Sequence, residues 1–377
     1  MSARRALALY LHIPFCAAKC AYCDFASYPN RQDVWRGYMD ALLDELRGWR
    51  LALEDRELAT VFIGGGTPSL LPAGEIARLM DGVRQCALVR GDAEITMEAN
   101  PGTLTPEKLK SCRAAGVNRL SLGAQAMDDR LLRSLGRIHT AKDVAEAVDL
   151  ARRAGFDNVS LDLMYALPGQ SMDDWARTLD AALALAPEHL SAYSLIVEEG
   201  TPLADRVARG MLTVPDDDAT VDMQRMAVER LAGAGFERYE ISNYARKGRE
   251  CRHNIVYWQR GDYLGVGCAA HSLMDGVRFE NPRGLEEYLS GQRRMNAVRL
   301  TREDAMEETL MLSTRMCRGM DLDAYRREFG EDFCMGRERK LAELARMGLL
   351  VCEDGFLRLT QRGMEVHNAV VVELLDA

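Results

Sequence analysis

No stretch of the 377-residue chain stays apolar for the eighteen or so residues that a membrane-spanning helix needs, so a helical membrane protein is not expected. An excess of positive charge is missing as well. The chain carries 48 Lys/Arg against 57 Asp/Glu, a formal net charge of −9, which opposes general attraction to nucleic-acid phosphates or anionic lipid. A secretory signal is also not expected. The opening "MSARRALALYLHIP" has two arginines and a short apolar run, but His12 and Pro14 interrupt it and no cleavage site follows. A buried strand is the better reading. Seven of the ten cysteines (Cys86, Cys112, Cys251, Cys268, Cys317, Cys334 and Cys352) are scattered without regular spacing. They do not suggest a disulfide scaffold, and a reducing cytoplasm is the expected setting. Each is most simply a small buried residue.

What the chain does have is repeated alternation. Short apolar runs at Leu7–Ile13, Thr60–Ile63, Glu94–Glu98, Arg119–Leu122, Val159–Tyr165 and Leu190–Val197 read as strands. Between them lie helical patterns such as Trp35, Tyr38, Met39, Leu42, Leu43, Leu46 and Trp49, spaced by three and four. Thr105-Pro106 and the Ser171/Asp174 pair mark helix starts. Strand–helix repetition implies an α/β fold with parallel strands and crossover helices. Six units are too few for a closed eight-fold barrel, so a partial, open (β/α)6 barrel is expected over residues 1–240. Its ligand groups should gather at the strands' C-terminal ends. Those ends carry Cys16, Gly64–Thr67, Glu98–Pro101, Gly123–Gln125 and Tyr165–Pro168.

Residues 241–300 read as a loop-like connecting segment with strand fragments. Residues 301–377 read as a helical unit followed by a hairpin at Asp354-Gly355, a winged-helix-like C-terminal domain. Such units often bind DNA. This one holds 11 Lys/Arg against 16 Asp/Glu, so a structural role is expected and no nucleic-acid partner.

The unscattered cysteines are Cys16, Cys20 and Cys23, in "HIPFCAAKCAYCDF". Thiolates suit zinc or iron–sulfur clusters. A structural zinc site wants a fourth ligand, which His12 or Asp24 could supply, but no partner pair follows downstream. On a [4Fe-4S] cluster, three thiolates leave one iron free for a substrate or cofactor. Gly64–Gly66 is not a nucleotide P-loop, because no Lys-Ser/Thr pair follows it.

The spacing C-x3-C-x2-C directly after the first strand resembles the radical S-adenosylmethionine (SAM) superfamily. "YLHIPFC", "FIGGGTPS", "TMEANP", "LGAQAM", "LGRIHT" and "LDLMYALPGQ" resemble its branch containing oxygen-independent coproporphyrinogen dehydrogenase and the HemW-type haem chaperones. The resemblance covers nearly the whole chain. It implies a cluster on Cys16, Cys20 and Cys23, whose open iron is chelated by the methionine end of SAM. An electron from the cluster can then break the sulfonium C–S bond to give a 5′-deoxyadenosyl radical. It further implies that Gly65, Gly66 and Thr67 meet that methionine end. Glu98, Gln125, Arg137 and Asp162 would hold SAM, and Tyr10, Tyr22 and Asp24 would flank cluster and adenine. Carboxylates and a guanidinium are the partners such a zwitterionic nucleoside needs.

Two departures separate the branch's members. The coproporphyrinogen enzyme typically carries a fourth cysteine two residues after the third, where this chain has Phe25, and it has a longer segment before the motif. The chaperones typically read C-x-F there and carry H-N-x-x-Y-W, which stands here as "HNIVYW", His253–Trp258. The resemblance therefore implies a haem chaperone, with an electron donor and with haem-accepting apo-proteins such as respiratory enzymes as partners. Coproporphyrinogen decarboxylation is the alternative. Imidazole is a common ligand to haem iron, so His253 is the expected haem ligand, with Cys251 as its competitor. Tyr257 and Trp258 would offer flat apolar surface beside the porphyrin. His271 is given no role, and His139, His189 and His367 are read as structural.

Overall fold

The protein is seen in a computed structural model that describes residues 4–376. Six parallel strands form its centre: β1 (Arg5–Ile13), β2 (Arg56–Gly65), β3 (Leu88–Ala99), β4 (Arg119–Gln125), β5 (Val159–Tyr165) and β6 (His189–Ser194). They lie side by side in chain order, each crossover returning the chain to the next position. The sheet then continues at both edges. Beyond β6 run β8 (Asn243–Ala245) and β7 (Glu237–Arg238), antiparallel. Beyond β1 run β9 (Tyr263–Val266), parallel to it, and then β10 (His271–Met274), β11 (Val277–Glu280) and β12 (Met295–Arg299), antiparallel.

Burial explains why the strands read as continuous apolar runs. In β1 seven consecutive residues, Leu7–Ile13, are buried or nearly so, as a parallel strand covered on both faces must be. The helix Trp35–Trp49 turns Tyr38, Met39, Leu42, Leu43 and Leu46 inward. Each such apolar side chain contributes roughly 1.5–3 kcal/mol by leaving water. The helix starts are capped as expected: Thr105 Oγ1 accepts from Lys108 N, and Ser171 and Asp174 form a reciprocal box.

Several boundaries differ from the sequence reading. β2 begins at Arg56 because that guanidinium, 1 % exposed, is neutralised at 2.8 Å by Asp262 and at 2.7 Å by Asp275. β3 begins at Leu88 although its first five residues stay partly or fully exposed, so no apolar pattern announces them. β6 stops at Ser194, and Ile196 leaves the sheet for solvent.

The segment expected to be loop-like is the largest correction. It holds five strands of the main sheet and the helix Arg252–Trp258, so "HNIVYW" is helical. This helix has no local capping signal. Glu94 of β3 caps it from far away in sequence, accepting from Arg252 N at 3.0 Å and His253 N at 3.1 Å.

After Thr301, which caps the helix Arg302–Ser313, a second small core forms around Leu310, Tyr325, Phe329, Leu344 and Leu357. A three-stranded sheet contains the expected hairpin, Leu350–Glu353 with Phe356–Leu359. A bidentate pair, Arg225 with Glu365 at 2.9 and 2.8 Å, ties this unit to the barrel. No helix among the described residues is long and apolar enough to cross a membrane.

Candidate functional site

The cysteine loop leaves the C-terminal end of β1 and is closed at its base. Phe15–Cys16 pairs with Tyr28–Pro29, and Tyr28 N donates to Pro14 O at 2.6 Å. Ala21 N donates to Leu135 O and Leu203 N donates to Ala21 O, pinning the middle of the loop. Gly66 fits beneath it: a Cβ there would stand 2.6 Å from Phe15 O, so no other residue allows this approach. Cys16, Cys20 and Cys23 are all free and half-buried. Burial pushes the Cys16 and Cys23 thiols above the ordinary range.

Donors surround these sulfurs. Thr67 Oγ1 lies 3.6 Å from Cys16 Sγ, and Arg137 Nη1 lies 3.5 Å from Cys20 Sγ. Arg137 Nη2 also donates to Asn100 Oδ1 and Gly123 O, each at 2.7 Å, and Asn100 Nδ2 donates to Thr67 Oγ1 at 2.9 Å. One network therefore fixes the groups facing two of the three thiols. Ser27 Oγ is buried and makes no well-formed hydrogen bond, yet it lies close enough to Cys16 and Cys23 to favour both thiolates. A buried hydroxyl left unsatisfied beside two thiols is what a site built for further acceptors, such as sulfide, presents. Among the described residues no three His, Cys, Asp or Glu are close enough to hold a single ion. A cluster that gives each thiolate its own iron has no need of that. His12, the candidate fourth zinc ligand, is committed elsewhere: Nδ1 meets Tyr10 OH at 2.9 Å and Nε2 meets Ala26 O at 3.0 Å.

A cavity of about 360 Å³ opens beside the loop. Cys16, Cys20, Cys23, Tyr22, Asp24, Gly65, Gly66, Glu98, Gln125, Arg137 and Asp162, all named from sequence, line it. Glu98 Oε2 accepts from Gly65 N at 2.9 Å. Burial, with help from the nearby Asp162 carboxylate, pushes the Glu98 carboxyl up to about 7 against the Gly65 amide. Burial also raises Asp162, although Ser121 Oγ donates to it at 2.9 Å. Burial disfavours both anions, a cost that a bound cation would relieve. Gln125 sits in the left-handed region at φ 63°, strain stored where β4 ends, and its Oε1 accepts from Tyr193 OH at 3.2 Å.

Two of the expected positions lie outside this lining. Thr67 does not border this cavity, because its hydroxyl turns to Cys16 and Asn100. Tyr10 lines the neighbouring cavity instead. Asn100, Ser27, Ser121 and Tyr193 were not named from sequence. Asn100 alone had a signal, in "EANP" at the end of β3.

That second cavity, of about 720 Å³, meets the first at Asp24, Phe25, Gly65 and Glu98. Phe25 is 70 % exposed between the two. Four aromatic rings, Tyr10, Tyr257, Trp258 and Tyr263, line the second cavity together with the carboxylates of Asp24, Glu98, Glu280 and Glu287. His253 does not reach it. The expected haem ligand is 1 % exposed, with Nδ1 bonded to Thr60 Oγ1 and Nε2 to Tyr257 OH, both at 2.8 Å. Burial and Arg119 lower its pKa to about 3, so it is a neutral, fully engaged ring. Cys251 is sealed too, bonded to Glu94, its thiol pushed up to about 12 by burial. His139, His189 and His367 are buried and hydrogen-bonded as the structural reading expects.

An open parallel barrel with a three-cysteine loop at its C-terminal rim defines the radical SAM class. The Radical SAM superfamily profile matches residues 10–182, and the HemN C-terminal domain profile matches residues 300–366. "Heme chaperone HemW" of Mycobacterium tuberculosis is 41 % identical, with 97 % of this chain and 94 % of that protein covered. The protein of the same name from Lactococcus lactis subsp. lactis is 34 % identical over 97 % of this chain and 96 % of its own length. The chain belongs to the HemW family. Among solved structures, coproporphyrinogen III oxidase (HemN) from Escherichia coli, a radical SAM enzyme, superposes with a TM-score of 0.85. It is 25 % identical, with 98 % of this chain and 90 % of that one covered.

Proposed function

We propose that this chain is a haem chaperone of the cytoplasm that holds a [4Fe-4S] cluster and SAM beside a haem site. In this reading Cys16, Cys20 and Cys23 ligate the cluster. The smaller cavity takes SAM: Glu98 and Asp162 face its positive and hydroxyl groups, Arg137 its carboxylate, and Tyr22, Asp24, Gly65, Gly66 and Gln125 shape the remainder. Thr67 and Arg137 also act from behind, by donating to the thiolates. When bound, the cluster supplies an electron and an iron without a protein ligand. Haem occupies the larger cavity and passes to apo-proteins such as respiratory enzymes.

The observation that carries this reading is the meeting of two cavities, one walled by three thiols and paired carboxylates, the other by aromatic rings and carboxylates. The relatives named as haem chaperones, similar end to end, support it. The likeness to the oxidase supports a second reading, oxidative decarboxylation of coproporphyrinogen III. Phe25, standing between the cavities where that branch typically has a fourth cysteine, weighs against it.

The test is anaerobic. Protein with its cluster reconstituted is titrated with haem, and separately incubated with SAM, reductant and coproporphyrinogen III. A saturable Soret shift without turnover is expected. No saturable shift would end the chaperone reading, and sustained protoporphyrinogen formation would replace it with the enzyme.

A further inference from the structure

Five of the six histidines have buried, hydrogen-bonded rings. His271 is the exception. Its side chain is 61 % exposed and lines the larger cavity from β10. Its Nε2 stands 3.3 Å from Glu280 Oε2, a residue paired with it across β10 and β11. The contact is an ion-pair approach without hydrogen-bond alignment; brought into line, the carboxylate would accept the Nε2 hydrogen and leave Nδ1 as a lone-pair donor, the usual support for a metal-binding imidazole. Nδ1 makes no hydrogen bond among the described residues.

The surroundings suit a flat ligand. Tyr10 pairs in register with Gly265 on the next strand. A Cβ on Gly265 would stand 2.1 Å from His271 O, so only glycine lets β10 close over this point. Tyr257 and Tyr263 meet edge to face at 4.7 Å on the same cavity. His253 belongs to this wall from behind, because its Nε2 holds Tyr257 OH.

We propose that haem iron is ligated by His271, oriented by Glu280, and that His253 is a positioning residue acting through Tyr257. This rests on the haem-chaperone reading of the larger cavity. It assigns the two histidines different jobs, which spectra separate where affinities alone do not.

The experiment titrates ferric haem into the full chain anaerobically, with absorption and electron paramagnetic resonance as readouts. Wild type is expected to give saturable binding with an imidazole-ligand signature. His271→Ala is expected to lose that signature and to regain it on adding free imidazole. His253→Ala is expected to bind more weakly while keeping the signature. Glu280→Gln keeps imidazole ligation with roughly 10- to 100-fold lower affinity. The signature surviving in His271→Ala, or vanishing in His253→Ala alone, would overturn the assignment. Unsaturable binding by wild type would instead remove the haem reading beneath it.

Discussion

Glu98 accepts a single amide hydrogen bond, from Gly65 N, and its carboxyl titrates near pH 7 because burial and Asp162 both disfavour the anion. A ligand carrying sulfonium and ammonium charge favours that anion and draws the pKa back toward the ordinary 4.5. The sign follows from proton counting: the free protein binds a proton on Glu98 below pH 7, the complex does not, so acid weakens binding. Full restoration of the ordinary value makes SAM affinity roughly 20-fold weaker at pH 5.5 than at pH 7.5. Glu98→Gln keeps an acceptor for Gly65 N and removes the titration, so most of that slope should vanish. Calorimetry of SAM binding to cluster-loaded protein, run anaerobically at both pH values, measures it. A flat wild-type profile, or an equal slope in both proteins, would refute the reasoning. Glu98→Gln should also raise the stability of the SAM-free protein at pH 8, where wild type keeps a buried anion, and leave it unchanged at pH 4.

Gly66→Ala drives a Cβ into the Phe15 backbone beside Cys16. It should cost about 1–3 kcal/mol in a denaturant melt and lower the iron retained per chain. His253→Ala breaks bonds to Thr60 and Tyr257 in a sealed pocket, and about 1–3 kcal/mol of stability should go with them. The loss should be smaller at pH 6 than at pH 8, by about 0.8 kcal/mol, because the folded ring stays neutral at both while the unfolded ring takes up a proton below its ordinary 6.5. Ser27→Ala removes a hydroxyl beside two thiolates, and a redox titration should find the cluster midpoint displaced to more negative potential.

Much of this architecture was legible because parallel strands buried on both faces announce themselves as unbroken apolar runs. β5 matches its expected span, and the helix Trp35–Trp49 follows from three- and four-residue spacing. Cys16, Cys20, Cys23 and Glu98 could be placed together because topology sends the C-terminal ends of the six parallel strands to one rim, and Asp162, in the middle of β5, because the resemblance implied it. What stayed hidden depends on partners distant in sequence. The helix of "HNIVYW" is capped by Glu94, about 160 residues earlier, so nothing local marks its start. The strands β9 to β12 are short and Gly-rich at their turns, and they read as loop until the sheet edge at β1 receives them. His253 and His271 look alike in sequence. Only burial shows that one is tied on both nitrogens and the other faces a cavity.

The central claim is that three thiolates hold a cluster with one iron left for SAM. Protein purified without oxygen, assayed for iron and sulfide and examined by electron paramagnetic resonance after reduction, tests it directly. The account predicts about four irons and four sulfides per chain, a spectrum that changes on adding SAM, and loss of both when Cys16, Cys20 and Cys23 are replaced by alanine. Zinc in place of iron, or a reduced cluster whose spectrum ignores SAM, would contradict it.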